Sequence, residues 1–211
     1  MRFEQNRMSP NVIEFGKPLF ETVRGRWRTE VFKNENPVVL ELACGKGEYT
    51  VGLGRHYRNI NFIGIDRKGD RLARGSQSAL AEGLDNVAFL RCDILQLEDF
   101  FGPGEVDEIW ITFPDPQPKQ KKEKKRLTNL RFLQIYSNIL NESGILHLKT
   151  DNTDFFEYSL EMLPTAGFKK LEATFDLYST ELASIHLGIK TKYEEIFSSQ
   201  GHSIKYLQFQ K

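Results

Sequence analysis

Short apolar segments alternate with segments of helical pattern along most of this chain, and the alternation limits the possible folds more than any other feature. The apolar segments lie at residues 38–43, 61–66, 87–91, 106–112 and 145–150. Short, mostly apolar runs of this kind are typical of parallel strands that are buried on both faces. Helices are predicted at about 47–57, 69–82 and 129–140, with one more around 156–163. Because strands and helices alternate, the pattern predicts an α/β fold with a doubly wound, mostly parallel sheet.

The C-terminal segment departs from this pattern. Residues 203–210 alternate between apolar and polar side chains, which predicts an antiparallel strand at an edge of the sheet. Residues 37–211 are long enough to bury one core without disulfides or metals. We therefore expect them to form a single domain.

The N-terminal segment, residues 1–36, is polar and irregular. It places an arginine at every second position around Trp27. We expect a basic, polar arm with one helix near residues 17–24, which Trp27 anchors to the domain by packing.

Composition and cysteine usage indicate the cellular compartment in which the protein works. The chain is 39% hydrophobic and 27% charged, and no apolar run approaches the roughly 18 residues that a membrane span needs. The first residues lack the apolar core of a signal peptide. Cys44 and Cys92 have no metal-ligand spacing, and the four histidines are scattered. The sequence thus predicts a cytoplasmic protein without a membrane segment or metal site, whose histidines are structural.

Three acidic residues, Glu41, Asp66 and Asp93, stand at or just after the ends of three successive predicted strands. A carboxylate in a buried strand costs about several kcal/mol unless it is paired. Since the carboxyl ends of parallel strands line the ligand crevice of such a fold, acids in register indicate one ligand with several hydrogen-bond donors. The alternative, acids that face water at the sheet edge, explains each residue singly but not their common position.

A glycine loop follows the first of these strands and narrows the choice of ligand. Gly45 and Gly47 let the backbone approach a ligand closely, and Asp66 lies 21 residues after Gly45, where an acid reaches ribose hydroxyls. The loop departs from the dinucleotide pattern because Thr50 replaces its third glycine, and Glu48 would repel a pyrophosphate. S-adenosylmethionine, with its ammonium, sulfonium, ribose diol and adenine amine, fits these residues better than NAD.

The neutral total charge conceals a basic run. Residues 117–131 hold seven basic side chains against the single Glu123, a net charge of +6, so the remaining 196 residues carry −6. The basic side chains are Lys119, Lys121, Lys122, Lys124, Lys125, Arg126 and Arg131. The run directly follows the FPDP turn at 113–116, at the end of the fourth predicted strand, where active sites of open α/β sheets lie. This placement favours binding of a polyanion over a merely solvated loop.

Several short motifs occur in a fixed order between about residues 38 and 197. They are LELACGKG at 40–47, GID at 64–66, Asp93, FPDP at 113–116 with the following basic run, TD at 150–151 and TKYE at 191–194. This set resembles the bacterial tRNA (guanine-N7-)-methyltransferases; the FPDP turn with its lysines and the TKYE motif are specific, whereas many methyltransferases share the glycine loop. The resemblance implies a Rossmann-like class I methyltransferase fold, S-adenosylmethionine as cofactor, and N7 methylation of the variable-loop guanine-46 of tRNA.

The resemblance also implies roles for individual residues. The cofactor-binding positions are Glu41, Gly45, Gly47, Asp66, Asp93 and Asp115, and Asp115 also matches the catalytic residue. The substrate-binding positions are Lys119, Asp151, Thr191, Lys192, Tyr193 and Glu194. The chain departs from the family where Gln117 replaces a tryptophan and where Lys121 and Lys122 replace an arginine and a histidine. Lysine retains the attraction to phosphate at those points.

Guanine chemistry is compatible with the acids among these residues. N7 has an in-plane lone pair at neutral pH, so the enzyme must align the base and tolerate positive charge on it rather than remove a proton. Asp115, Asp151 and Glu194 can accept hydrogen bonds from the guanine N1–H and N2 amine. The structural alternatives are a turn aspartate, a helix N-cap and a solvent-facing carboxylate, respectively, and core or edge packing for Thr191 and Tyr193.

Three other functions would each use some of these sequence features. A methyltransferase acting on exocyclic amines is typically marked by adjacent prolines and a stacking aromatic after the fourth strand, which DPQP at 115–118 lacks. A non-catalytic RNA-binding module would use the basic run without needing the acids at the strand ends. An NAD-dependent oxidoreductase is disfavoured by the glycine pattern. The sequence leaves open whether the chain is a monomer or a homodimer.

Overall fold

Eight strands form one sheet in the computed structural model, which describes residues 6–211. They are β1 (Val12–Ile13), β2 (Val38–Leu42), β3 (Asn61–Ile65), β4 (Val87–Leu90), β5 (Val106–Thr112), β6 (Leu140–Thr150), β7 (Lys169–Thr174) and β8 (Lys205–Gln210). Their order across the sheet is β1-β4-β3-β2-β5-β6-β8-β7. Neighbours from β1 to β6 run parallel, whereas β8 is antiparallel to β6 and β7. The prediction of a mostly parallel sheet with an antiparallel C-terminal strand is confirmed.

Helices pack on both faces of this sheet. The main ones are α1 (Glu48–His56), α2 (Gly69–Ala81), α3 (Leu97–Phe100), α4 (Leu130–Ile139), α5 (Thr153–Thr165) and α6 (Lys192–Ser199). Alternate residues of β2 face opposite sides: Leu40 packs in the core that holds α4 and α5, and Val39 in the core that holds α1 and α2. The crossovers are therefore doubly wound, as predicted. Within residues 6–211, no helix is both long and apolar enough to cross a membrane.

The C-terminal strand is not at the edge of the sheet, so that part of the prediction is wrong. β7 pairs with the free side of β8 and forms the edge. The side chains of residues 169–172 are all exposed, so no apolar pattern marks this strand in the sequence. β6 also begins at Leu140, five residues earlier than predicted.

The described part of the N-terminal segment, residues 6–36, contacts the rest of the chain at several points. β1 extends the sheet by pairing in parallel with β4. The helix predicted near residues 17–24 is wrong: that region forms only a short 3₁₀-helix, Pro18–Glu21, and a π-helix follows at Trp27–Phe32. Residues 1–5, which belong to the predicted arm and to the region inspected for a signal peptide, lie outside the described residues.

Trp27 anchors this segment, as predicted. Its side chain is fully buried and stacks on Phe101, with ring centroids 5.2 Å apart. Its indole Nε1 donates to the carbonyl of Phe100 at 2.9 Å, and its backbone N–H donates to Glu105 at 3.1 Å. Because a buried tryptophan contributes about 3–5 kcal/mol relative to alanine, this contact holds the segment firmly.

Candidate active site

The glycine loop between β2 and α1 presents bare backbone to open space. Gly45 and Gly47 have φ angles of 58° and 70°, a left-handed conformation that side chains disfavour. A Cβ atom at Gly45 would meet no atom within 4 Å, whereas one at Gly47 would lie 2.6 Å from the Phe89 ring. The Gly45 N–H donates to Asp66 Oδ2 at 3.1 Å. The loop is thus tied to the end of β3 and leaves room for a ligand above Gly45.

Glu41, near the end of β2, is buried and already hydrogen-bonded within the protein. One carboxylate oxygen accepts from the backbone N–H of Thr50 at 2.8 Å and from the Thr50 hydroxyl, and the other accepts from Thr112 Oγ1 at 2.6 Å. Burial raises the pKa of Glu41 to about 7, and the threonine hydrogen bonds oppose that rise. Glu41 therefore joins the first turn of α1 to the end of β5, directly beneath the glycine loop.

Asp66 and Asp93 are fixed at the ends of the neighbouring strands β3 and β4. Asp66 Oδ1 accepts the N–H of Lys68 at 2.8 Å, and Asp93 Oδ1 accepts the N–H of Leu95 at 3.0 Å. Asp93 also lies 3.3 Å from the Arg67 guanidinium. Each carboxylate has two oxygens with about four acceptor positions, so both retain capacity for ligand donors.

The turn after β5 holds Asp115 between two prolines in a constrained backbone. Phe113 and Gln117 have φ angles of 48° and 47°, which are uncommon for residues with side chains. Asp115 is exposed, and its Oδ1 accepts the N–H of Gln117 at 3.1 Å. The Phe113 N–H donates to the carbonyl of Lys149 at 2.9 Å, which ties the turn to β6. Backbone strain of this kind concentrates at functional sites.

The basic run continues from this turn as an exposed surface. It forms a short 3₁₀-helix, Gln120–Lys125, in which every lysine is exposed. A cavity of about 590 Å³ lies beside it, lined partly by Lys121, Lys124 and Arg131. Arg126 fixes the end of this 3₁₀-helix, because its guanidinium lies 4.4 Å from the centroid of the Tyr158 ring. The run is an ordered part of the fold rather than a free lysine loop.

Asp151 follows β6 and is half-buried. Its carbonyl accepts from Lys205 Nζ at 2.9 Å. The helix α5 is capped by the next residue, since Asn152 Oδ1 accepts the N–H of Phe155 at 2.8 Å. The N-cap interpretation of Asp151 is therefore wrong. The Asp151 carboxylate makes no hydrogen bond or ion pair with any residue in 6–211.

The TKYE motif forms the start of α6. Thr191 is the N-cap of this helix, because its Oγ1 accepts the N–H of Glu194 at 3.2 Å. Lys192 is exposed and Tyr193 is 56% exposed. The first turn of α6 therefore presents a cation and an aromatic ring to solvent.

Glu194 differs from its neighbours in the motif because its side chain is completely buried. It lies 2.8 Å from Lys149 Nζ, and it accepts a hydrogen bond from the Tyr178 hydroxyl. The interpretation of Glu194 as a solvent-facing carboxylate is wrong. Lys149 and Tyr178 were missed from the sequence, although a lysine among the buried residues at the end of β6 is as unusual as the glutamate in β2.

A buried aromatic cluster lies behind the site. Trp110 stacks on His147 with ring centroids 3.9 Å apart, and His147 Nδ1 is 2.7 Å from the Tyr206 hydroxyl. His186 Nδ1 is 2.7 Å from the Tyr49 hydroxyl, and burial lowers the pKa of His186 to about 2, so its ring is neutral. These contacts hold His147 and His186 within the core, and the structural role predicted for all four histidines stays a prediction.

The fold thus brings the predicted site residues to one edge of the sheet. The positions lie at the carboxyl ends of β2 to β6, except for the TKYE motif. That motif is joined to this edge by Lys149 and by the Lys192 N–H, which lies 3.4 Å from Glu48 Oε2. Among the described residues, no group of three or more His, Cys, Asp or Glu side chains is arranged to hold a metal ion.

The fold and the strand-end site define a Rossmann-like methyltransferase. The 16S rRNA methyltransferase KamB matches 95% of this chain and 98% of its own with a TM-score of 0.67 at 15% identity. An antibiotic-related methyltransferase matches 87% and 91% of the two chains with a TM-score of 0.65 at 19% identity. At these identities the likeness shows the fold alone. A family model described as "Putative methyltransferase" matches residues 35–207.

Curated relatives extend the comparison to the whole chain. A tRNA (guanine-N(7)-)-methyltransferase from Christiangramia forsetii is 49% identical over 99% of this chain and 95% of its own length. The enzyme of the same name from Cytophaga hutchinsonii is 44% identical over 100% and 96%. The one from Porphyromonas gingivalis is 50% identical over 93% and 78%. The chain belongs to the tRNA (guanine-N(7)-)-methyltransferase family.

Proposed function

We propose that the protein transfers a methyl group from S-adenosylmethionine to N7 of the variable-loop guanine of tRNA in the cytoplasm. The observation that carries the proposal is the position of the exposed basic run. It begins directly after the turn that holds Asp115, and this turn lies beside the strand that bears the glycine loop. The chain that carries these motifs in this order is also 49% identical to a relative named tRNA (guanine-N(7)-)-methyltransferase.

The residues at the strand ends fit S-adenosylmethionine. The open space above Gly45 admits a ligand close to the backbone, and Asp66 and Asp93 offer acceptors at the next two strand ends. Asp66 would accept hydrogen bonds from the ribose hydroxyls, and Asp93, after the next strand, would accept from another donor of the cofactor. Glu41 supports the loop from beneath through Thr50. When bound, the cofactor supplies an electrophilic methyl group on a sulfonium.

Asp115 would orient the guanine. Its backbone is fixed by the left-handed residues on either side, and its side chain is exposed in the turn that follows β5. A carboxylate there can accept from the base donors and offset the positive charge that develops when N7 is alkylated. Asp151, whose carboxylate has no partner among residues 6–211, is a second acceptor on the next strand. No general base is required, because the N7 lone pair is already free.

The remaining predicted residues either contact the RNA or hold the contacting residues in place. Lys119 and the exposed lysines after it attract the RNA phosphates. Tyr193 and Lys192 face solvent on α6, where a ring and a cation can contact a nucleotide. Thr191 and Glu194 hold that turn in place rather than reach the substrate themselves, since Thr191 caps the helix and Glu194 is buried against Lys149.

Nucleoside mass spectrometry tests the proposal. Unmodified tRNA is incubated with the protein and methyl-labelled cofactor, then digested to nucleosides. We expect label in 7-methylguanosine, and none when the variable-loop guanine is replaced by adenine. Label in a base with a methylated exocyclic amine would assign the protein to another class of nucleic-acid methyltransferase. RNA binding without any transfer, together with no cofactor binding, would leave only a binding module.

A further inference from the structure

A second cationic surface lies across the glycine loop from the basic run. Residues 46–74 hold seven basic side chains against three acidic ones, a net charge of +4. Since the basic run at 117–131 carries +6, the remaining 167 residues carry −10. The neutral total therefore conceals two cationic segments on opposite sides of the same site.

Three of these seven cations, Lys46, Arg55 and Arg74, line a groove between α1 and α2. The groove has a volume of about 370 Å³ and is lined chiefly by Lys46, Glu48, Val51, Arg55, Arg74 and Ser78. Arg55 lies four residues after Val51, and Ser78 four residues after Arg74, so each pair shares one helix face. Lys46 enters from the glycine loop, which places the groove beside the cofactor site.

Two of these cations have no side-chain partner among the described residues, 6–211. Arg55 is balanced, because its Nε and Nη2 donate to Glu82 at 2.7 and 2.8 Å. Lys46 and Arg74 make no hydrogen bond or ion pair with any residue in 6–211, and Arg74 is exposed. Glu48 is the one acid among the lining residues. Lys46 and Arg74 thus outnumber the single acid of the lining, and this net positive charge favours an anionic ligand.

We infer that this groove binds a backbone phosphate of the tRNA substrate. Guanidinium and ammonium groups are the usual partners of phosphate oxygens. The groove has no aromatic lining, and its apolar residue, Val51, is only 4% exposed, so it offers no platform for a base. A phosphate of a nucleic-acid strand is therefore a better fit than a free nucleotide.

The position of the groove explains how one RNA would reach both cationic surfaces. α2 follows β3, the basic run follows β5, and β2 with its glycine loop lies between them. Strands β3 and β5 are two strand spacings apart, roughly 10 Å, and a few nucleotides of one RNA strand can span that separation. The RNA would then cross the site and contact phosphate-binding groups on both sides of the methylated base. This inference rests on the proposed function.

The test compares the salt dependence of tRNA binding in matched variants. Arg74→Gln removes the exposed cation of the groove, and Lys170→Gln removes an exposed cation from β7, far from the groove. Loss of one phosphate contact should reduce the slope of log affinity against log salt by about 0.7–0.9 for Arg74→Gln. The charge reversal Arg74→Glu should reduce affinity further. The Lys170→Gln variant should retain the slope of the native protein, and S-adenosylmethionine affinity should be unchanged in all variants.

The outcomes separate this inference from the proposed function. If both Arg74 variants bind tRNA with the native slope and affinity while 7-methylguanosine is still formed, the groove is not an RNA contact and the proposed function stands. If the native protein neither binds nor methylates tRNA, both proposals fail. A titration with inorganic phosphate provides the last comparison. Saturable phosphate binding that depends on Arg74, with tRNA binding unaffected, would identify a free-phosphate site and overturn the inference.

Discussion

Lys149 and Glu194 form an ion pair in which neither side chain reaches solvent: Nζ lies 2.8 Å from Oε1 and 3.0 Å from Oε2. Burial lowers the pKa of the Lys149 ammonium, and the neighbouring Glu194 carboxylate opposes this shift. The pair joins the end of β6 to the first turn of α6, 45 residues later in the chain. The position of Tyr193, the exposed ring of that turn, therefore depends on a buried electrostatic contact.

Lys149→Met should destabilise the fold strongly. The substitution preserves much of the volume but leaves the Glu194 carboxylate buried without a cation, and breaking a buried pair in this way costs about 3–5 kcal/mol. The double variant Lys149→Met/Glu194→Gln should recover part of the loss, because no unpaired charge remains. Urea denaturation of the three proteins measures both effects. Equal destabilisation in the single and double variants would show that packing, rather than the charge pair, holds α6.

The stability of the protein should respond to the titration of Glu41. Its folded pKa of about 7 lies above its ordinary value of 4.5, so the folded state binds this proton more tightly than the unfolded chain does. The contribution of Glu41 to stability is therefore full below pH 4.5 and is lost as the pH rises through 7. Relative to Glu41→Gln, which cannot titrate, the native protein should lose about 2–3 kcal/mol of unfolding free energy between pH 5 and 8.

Denaturant unfolding at several pH values measures this difference. The same substitution at the exposed Glu157 is the control, and its difference from the native protein should stay flat over that range. Parallel curves for the native protein and Glu41→Gln would mean that Glu41 titrates near its ordinary pKa despite its burial.

The parts of the fold predicted from the sequence are those that local apolar patterns mark. The strands from β2 to β5 are buried on both faces and the helices between them on one face. Their apolar side chains therefore form a pattern that can be recognised in the sequence. β7 was missed because its side chains are mostly exposed and the strand is held by backbone pairing to β8. β1 was missed because two residues are too few to show an apolar pattern. The prediction that β8 lies at the edge of the sheet failed because β7, which pairs with its free side, was missed.

The placement of the candidate site was predictable for those residues that directly follow a predicted strand. The glycine loop, Asp66, Asp93 and the Asp115 turn follow strands directly, and parallel topology brings the strand ends to one edge. The burial of Glu194 was not predictable, because its partner Lys149 lies far away in the sequence. The groove at Arg74 was also missed, since the basic residues of 46–74 are dispersed between apolar segments rather than consecutive.

Asp66→Ala should weaken S-adenosylmethionine binding. The proposed acceptor for the ribose hydroxyls would be lost, which costs roughly 1.5–3 kcal/mol for a charged hydrogen bond, or about 10- to 150-fold in affinity. Part of the lost affinity would come from the glycine loop, because the Gly45 N–H donates to this carboxylate and would lose its acceptor. Asp66→Asn, which keeps an acceptor oxygen, should bind with intermediate affinity. Calorimetry showing native cofactor affinity in a folded Asp66→Ala protein would remove Asp66 from the cofactor site.

Neutralising the basic run should flatten the salt dependence of tRNA binding. Replacing Lys121, Lys122, Lys124 and Lys125 by glutamine removes four exposed charges. If about three to five lysines of the native run neutralise phosphates, the native slope of log affinity against log salt should be roughly −2 to −5. The variant should have a much smaller slope and unchanged S-adenosylmethionine affinity, as filter binding and calorimetry would show. A slope identical to that of the native protein would make the run a solvated surface without contact to RNA.

Asp115→Asn should act on the transition state. The change keeps the size and reach of the side chain, and the constrained turn should hold the backbone in place, so the main loss is the negative charge. Turnover should drop by about 10²–10³, the scale for one preorganised electrostatic contact, while tRNA affinity changes little. Because N7 needs no deprotonation, a higher pH should not restore the rate, as it would if Asp115 only accepted a proton. Asp85→Asn, at an exposed site before β4, should retain the native rate. Single-turnover assays with saturating tRNA and cofactor decide the point, and a near-native rate for Asp115→Asn would leave Asp115 a structural turn residue.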